Sequence, residues 1–261
     1  MPIRTISSPG LYYQDTDITQ SNPNDDGILI TSNYVTLINR ARIVGAGGVN
    51  SNNAGIRVTN GAAVTILNHG GSVRGFTYGL SAYNAYLLRV QDLFVQDALF
   101  RGIKVEGDDA YVAGCDIREV HGAMFTPFAY CMGIEMSGMT SGGGKSKVLR
   151  NSVQNVHGTT SGGNTGESVG ISITDLNVGA VVQGNLIQND FKPGLAFAHG
   201  ASIGVWIGGA SAVVVADNII RTWDNGIVSS SPTSDGHGQN LFADCTVDAI
   251  TGGTTIPSTE D

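Results

Sequence analysis

The chain is patterned in short apolar bursts, not in long amphipathic stretches. Residues 102–105 read Gly-Ile-Lys-Val, an apolar–polar–apolar triplet behind a glycine. The same tetrapeptide pattern, or a close variant, opens at Gly27, Gly55, Gly79, Gly133, Gly170, Gly204 and Gly226. Alternation with a period of two marks a strand with one buried face, so Ile103 and Val105 are expected to point inward and Lys104 outward. No window carries the 3.6-residue period of an amphipathic helix; the closest, Leu87–Val95, alternates instead.

Successive anchoring glycines lie 28, 24, 23, 31, 37, 34 and 22 residues apart. The shortest separations set the repeat, and the longer ones are that repeat plus insertions. A second motif recurs within the repeats, at Asp92-Leu93-Phe94, Cys115-Asp116-Ile117, Asn151-Ser152-Val153, Asn185-Leu186-Ile187, Asn218-Ile219-Ile220 and Cys245-Thr246-Val247. Asn and Asp tolerate left-handed backbone and bond to nearby backbone groups, so this row suits a sharp corner between strands. Stacked in successive repeats, such residues can form a hydrogen-bonded ladder. Each repeat thus supplies about three short strands, too short to bury a face alone. Stacking the repeats at roughly 4.8 Å lets every strand pair in parallel with its copies above and below.

The expected fold is all-β, a right-handed parallel β-helix of about eight coils spanning residues 25–250. Residues 1–24 are read as a lead-in strand covering the first coil, and residues 251–261 as a loose C-terminal tail. No capping helix is visible at either end, which raises the expectation that another subunit covers one.

Three consecutive repeats carry insertions at one phase, within 121–132, 157–169 and 190–203, between the third strand and the next glycine anchor. Insertions at one phase share one side of a solenoid. They should form a wall beside the outward row Leu29, Arg57, Ser81, Lys104, Glu135, Ser172, Trp206 and Val228. Lys104, Glu135 and Trp206 would floor a groove there, with Lys104 and Glu135 forming a cross-strand ion pair. The other flank shows Arg118, Gln154, Gln188 and Arg221. His121 and His157 occupy equivalent positions, each followed by Gly, and would stack. That arrangement suits a proton-transfer pair or a metal pair, or simply copies a turn preference between coils. The acid–base candidates are His121, His157, Glu135, Lys104 and Asp190. The binding candidates are Trp206, Arg118, Arg221, Lys192, His199 and Glu167. An aromatic face beside polar groups is what a sugar ring needs: apolar stacking on one side, hydrogen bonds at the edge.

Charge narrows the partners. The chain has 14 Lys+Arg against 22 Asp+Glu, net −8. Nucleic-acid binding needs basic clusters, and none is visible. A polyanionic substrate is disfavoured too, unless a local basic strip or bound cations intervene. Cys115, Cys131 and Cys245 form no C-x-x-C pair, so no disulfide framework or zinc site is expected. No cofactor or metal site is indicated. No apolar run reaches the length of a membrane span, and Met1–Gly10 has no signal-type apolar core.

The Gly–apolar–x–apolar tetrapeptides and the Asn/Asp/Cys corner row resemble the right-handed parallel β-helix repeats of the pectin-lyase-like superfamily. The resemblance implies two functional expectations. One is a β-helix that binds polysaccharide along its outer face, extending to glycan modification of lyase, hydrolase or epimerase type. The other is a structural or adhesive β-helix, such as a phage tail or surface fibre, often a homotrimer in relatives. Both imply an extracellular or virion-surface setting. Individual enzyme signatures are incomplete. Gly236-His237-Gly238 is the tripeptide of polygalacturonase-type enzymes, but their Arg-Ile-Lys motif is absent. Asp25-Asp26 and Asp108-Asp109 are isolated pairs, unlike the clustered aspartates of calcium-dependent lyases.

Overall fold

The computed structural model describes residues 1–47, 52–121, 131–139, 145–158, 167–175, 177–189, 202–230, 236–251 and 254–255. Within these the chain winds through three sheets in turn, two of ten strands and one of nine. Every pairing between neighbouring strands is parallel, from Arg4–Ile6 on Ile28–Ile30 to Asn225–Ser229 on Val247–Thr251. Nine coils contribute one strand to each sheet and a tenth contributes strands to the first two, so the described residues form a parallel β-helix of nine full coils and part of a tenth. The expected eight missed one at each end. Residues 4–19 are not a single covering strand: they supply three strands, a complete first coil. At the far end Thr254–Thr255 pairs with Gly236–His237, so part of the expected tail adds a further rung.

Alternation puts the core where the sequence placed it. Ile103 and Val105 are fully buried, as are their register partners Ile134 and Met136 one coil on. Val112 and Ile117 fill the same coil from the second and third sheets. Each such aliphatic side chain stabilises by about 1.5–3 kcal/mol through lost water contact. The anchoring glycines mark the point where the third sheet turns into the first. A Cβ on Gly102 would stand 2.4 Å from Ile117 Cγ2 and 2.6 Å from the Gly133 carbonyl oxygen. Space, not backbone conformation, demands glycine there.

The corner between the second and third sheets carries the predicted ladder. Asn151, Asn185 and Asn218 are buried, and each Nδ2 donates to the Oδ1 of the next coil's asparagine, at 3.0 Å to Asn185, 2.8 Å to Asn218 and 2.9 Å to Asn240. The second Nδ2 proton goes to a backbone carbonyl of the preceding coil, that of Val112, Val148 or Val182. The Oδ1 atoms also accept the backbone N–H of the preceding rung, beginning with Cys115 at 2.9 Å. Two members of the predicted row are displaced. Leu93, not Asp92, aligns with Cys115, because Phe94 is the partner of Asp116. Asn240, not Cys245, ends the ladder, because Leu241 is the partner of Ile219. The left-handed backbone sits one residue before the ladder, at Asp92, Gly114, Arg150, Gly184, Asp217 and Gln239.

The N-terminal mouth is closed from within. Arg4, Tyr12 and Gln14 occupy inward positions of the first coil, in register with Ile28, Leu37 and Asn39. The Arg4 guanidinium lies 5.7 Å from the Tyr12 ring centroid and donates to Gln14 Oε1 at 2.7 Å and to the Tyr13 carbonyl at 2.6 Å. A polar plug therefore lies over the apolar core.

Candidate functional site

The outer face of the first sheet carries the predicted row in unbroken register: Leu29, Arg57, Ser81, Lys104, Glu135, Ser172, Trp206 and Val228 are successive partners. Two residues further along each strand runs a parallel outward row, Thr59, Tyr83, Glu106, Ser137, Thr174 and Gly208. The three insertions fall between third-sheet strands and the first-sheet strands that follow them. Residues 122–130, 159–166 and 190–201 lie outside the described residues, and with them Asp190, Lys192 and His199.

Lys104 and Glu135 are register partners, but they do not form the expected ion pair. Each has a nearer partner. Lys104 Nζ bonds to Glu106 on its own strand. Glu135 Oε2 accepts from Arg101 Nε at 2.6 Å, with both side chains mostly buried. The Arg101 guanidinium carbon also lies over Phe100, 3.7 Å from the ring centroid. Burial works against charge on Lys104, but its bond to Glu106 and the negative charges of Glu135 and Glu106 outweigh it. Lys104 therefore titrates above the ordinary lysine range and stays an ammonium, a donor of hydrogen bonds and not a general base. A third pair completes the face: Arg57 Nε donates to Asp26 Oδ2 at 2.9 Å and Arg57 Nη1 to Ser81 Oγ at 3.3 Å.

Further along the row the face becomes neutral. Ser172 is buried between the Glu135 and Trp206 rungs, and its hydroxyl has no partner among the described residues. Trp206 is half-buried, its ring leaning over the bare backbone of Gly208: a Cβ there would come within 3.0 Å of Trp206 Cζ2. Tyr83, 53% exposed, stands beside Glu106 one coil earlier. The floor thus runs along the axis as aromatic, charged, hydroxyl, aromatic. Coils four to eight are four spacings apart, roughly 19 Å.

The remaining candidates lie elsewhere. Arg118 and Arg221 share an outward row of the third sheet with Gln154 and Gln188. Arg118 is held by Asp116, Nε to Oδ1 at 3.0 Å. His121 and His157 end the third-sheet strands in register, their rings stacked at 5.8 Å with 18° between planes. His121 Nε2 is 3.6 Å from Glu119 Oε2, and Glu119 also accepts from Asn155 Nδ2 at 2.7 Å. Glu167 precedes the Ser168–Asp175 strand, and its carbonyl accepts the Cys131 N–H at 3.1 Å. The candidates among the described residues therefore fall into two sets, Lys104, Glu135 and Trp206 on one sheet and His121, His157, Arg118 and Arg221 on another, with Glu167 in neither, just before a first-sheet strand.

The aspartate pairs have structural partners. Asp108 Oδ1 accepts the Met139 N–H at 3.0 Å and Asp109 Oδ1 the Lys145 N–H at 3.1 Å, tying both ends of the 139–145 segment to the coil. Gly236–Gly238 is a strand of the second sheet. Among the described residues no group of three or more His, Cys, Asp or Glu could hold a metal ion.

No family model matches the chain, and no curated protein matches it in sequence. Among solved structures it is similar to the alginate lyase from Paenibacillus sp. str. FPU-7, with TM-score 0.51 and 16% identity over 98% of this chain and 96% of that one. That likeness establishes a shared fold. The fold is a parallel β-helix. The Dettilon tailspike protein (gp208) is also similar, with TM-score 0.49 and 13% identity over 92% of this chain and 60% of the tailspike.

Proposed function

We propose that the chain binds a glycan along the outer face of the first sheet, between Tyr83 and Trp206. The observation that carries this reading is the unbroken register that sets Lys104, Glu135, Ser172 and Trp206 on four successive coils, with the polar groups ending at an aromatic ring. A polymer of sugar rings laid along the axis meets a repeat of comparable scale, with acceptors at Glu106 and Glu135, a donor at Lys104 and stacking surface at Trp206 and Tyr83. The similar lyase, whose name gives alginate as its substrate, supports the glycan class by analogy of fold only.

A second reading concerns the fate of the bound glycan. Glu135 and Lys104 are already engaged by Arg101 and Glu106, and Lys104 is held protonated. This favours a surface that holds its glycan without turning it over, as an adhesive or fibre module would, with homo-oligomers as the natural context. The histidines, on the adjoining sheet, are the acid–base groups available to the catalytic reading.

A glycan array probed with the full chain tests binding. Digests of every bound glycan, read for new reducing ends and for unsaturated-uronate absorbance, test turnover. Binding without new products supports the adhesive reading, and products lost in His157→Ala, or in Glu135→Ala shown to be folded by circular dichroism, support the catalytic one. An array with no bound glycan contradicts the proposal.

A further inference from the structure

On the face assigned to the glycan, each cation already has a carboxylate of the same chain. Among the described residues its cations are Arg57, Arg101 and Lys104, paired with Asp26, Glu135 and Glu106. A fourth carboxylate, Asp175, stands at the end of the coil-seven strand and takes only hydroxyls, Ser137 Oγ and Thr174 Oγ1. The face therefore carries no surplus positive charge. The sequence of the insertions does not supply one. Residues 122–130 and 159–166 contain no Lys, Arg, Asp or Glu, and 190–201 contain one Asp and one Lys. Nor do the described residues offer a metal cluster through which a divalent cation could bridge to an acidic polymer.

A carboxylate or sulfate brought onto this floor would lose water beside Glu106 and Glu135. It would find no uncompensated cation to replace that water, and the chain's net charge of −8 adds long-range repulsion. A hydroxyl meets no such obstacle, because paired carboxylates keep lone pairs free to accept and Lys104 keeps protons to donate. We infer that the ligand of this face is an uncharged glycan and not a polyuronate or a sulfated polymer. The inference rests on the glycan reading above and narrows it.

The test is titration of the full chain with neutral polysaccharides (glucan, mannan, galactan, xylan) and with anionic ones (alginate, polygalacturonate, dextran sulfate), at about 20 mM and about 500 mM NaCl. The expected result is binding to a neutral polymer that changes by less than about twofold between the two salts, with the anionic polymers weaker or unbound. Tighter binding to an anionic polymer, falling more than about tenfold at high salt, overturns this inference and leaves the glycan reading standing. Binding to neither class overturns both. Glu106→Gln supplies an independent arm by releasing Lys104. With the fold confirmed by circular dichroism, the variant should bind alginate at about 20 mM NaCl at least about tenfold more tightly than the wild type does, and lose that gain at about 500 mM. If it does not, charge balance is not what excludes the polyuronate, and the inference fails.

Discussion

Arg101 and Glu135 form the most constrained pair on the proposed binding face, with only 7% and 15% of their side chains exposed. Removing one partner leaves the other charge buried and uncompensated. Glu135→Ala is therefore expected to lower unfolding stability by about 3–5 kcal/mol in denaturant titrations, against about 1 kcal/mol or less for Asp116→Ala, which breaks only an exposed pair with Arg118. Equal losses would show that the buried pair has no special weight. The thiols are the opposite case, groups silenced by their surroundings. Burial pushes Cys115 and Cys131 up to about 12. A raised thiol stays protonated until the pH approaches that value, so at pH 8 roughly one in ten thousand is thiolate. Native protein should show neither residue to a thiol-specific reagent, any reactivity belonging to half-buried Cys245, and all three should appear on denaturation. At this scale alternation was readable: Lys104, Glu106 and Trp206 fall outward by simple parity. Arg101 was not: parity with Ile103 and Val105 places it inward, yet its guanidinium reaches Glu135 of the outward row. The partner that takes Glu135 from Lys104 therefore could not be counted from sequence.

Among the elements the asparagine ladder has the clearest energetic consequence. Every donor and acceptor on Asn185 is used, by Asn218, Val148, Asn151 and the Asn151 backbone. Asn185→Ala leaves the Asn151 side chain and backbone N–H short of an acceptor and Asn218 Oδ1 short of a donor. The expected cost is about 2–4 kcal/mol, since buried polar groups without partners cost about 1–3 kcal/mol each and part of the loss is relieved by water. Val181→Ala, on the outer face of a neighbouring strand, should cost far less; hydrogen exchange would locate the difference at the corner amides of coils six to eight. The ladder was foreseeable from the recurring asparagines, but its frame was not. Asp92 and Cys245 fit the residue pattern, whereas register is set by the strands on either side, and those place Leu93 and Asn240 on the ladder.

At the scale of the whole molecule, a solenoid is only as stable as its ends, because each coil is held by its neighbours. The first coil, with its plug of Arg4, Tyr12 and Gln14, covers Ile28, Ile30, Leu37 and Ile43, all fully buried. Deleting residues 1–20 should expose that layer and give aggregation on size exclusion; a soluble, monodisperse product would contradict the role assigned to the plug. This coil escaped sequence reading because polar Arg4 and Gln14 share its inward positions with Ile6 and Ile18, as befits a layer with water on one side. The insertions were legible as a shared phase and the rows beside them as two flanks, while the placing of His121 and His157 at the ends of third-sheet strands was not, since it depends on where each coil turns. Binding on the outer face of the first sheet is the central claim. Calorimetric titration of a bound glycan into wild type and Trp206→Ala tests it most directly. Loss of the ring should weaken binding by about 1–3 kcal/mol, or about five- to 150-fold, with the melting temperature nearly unchanged. Undiminished affinity in a folded Trp206→Ala protein would place the glycan elsewhere and contradict the claim.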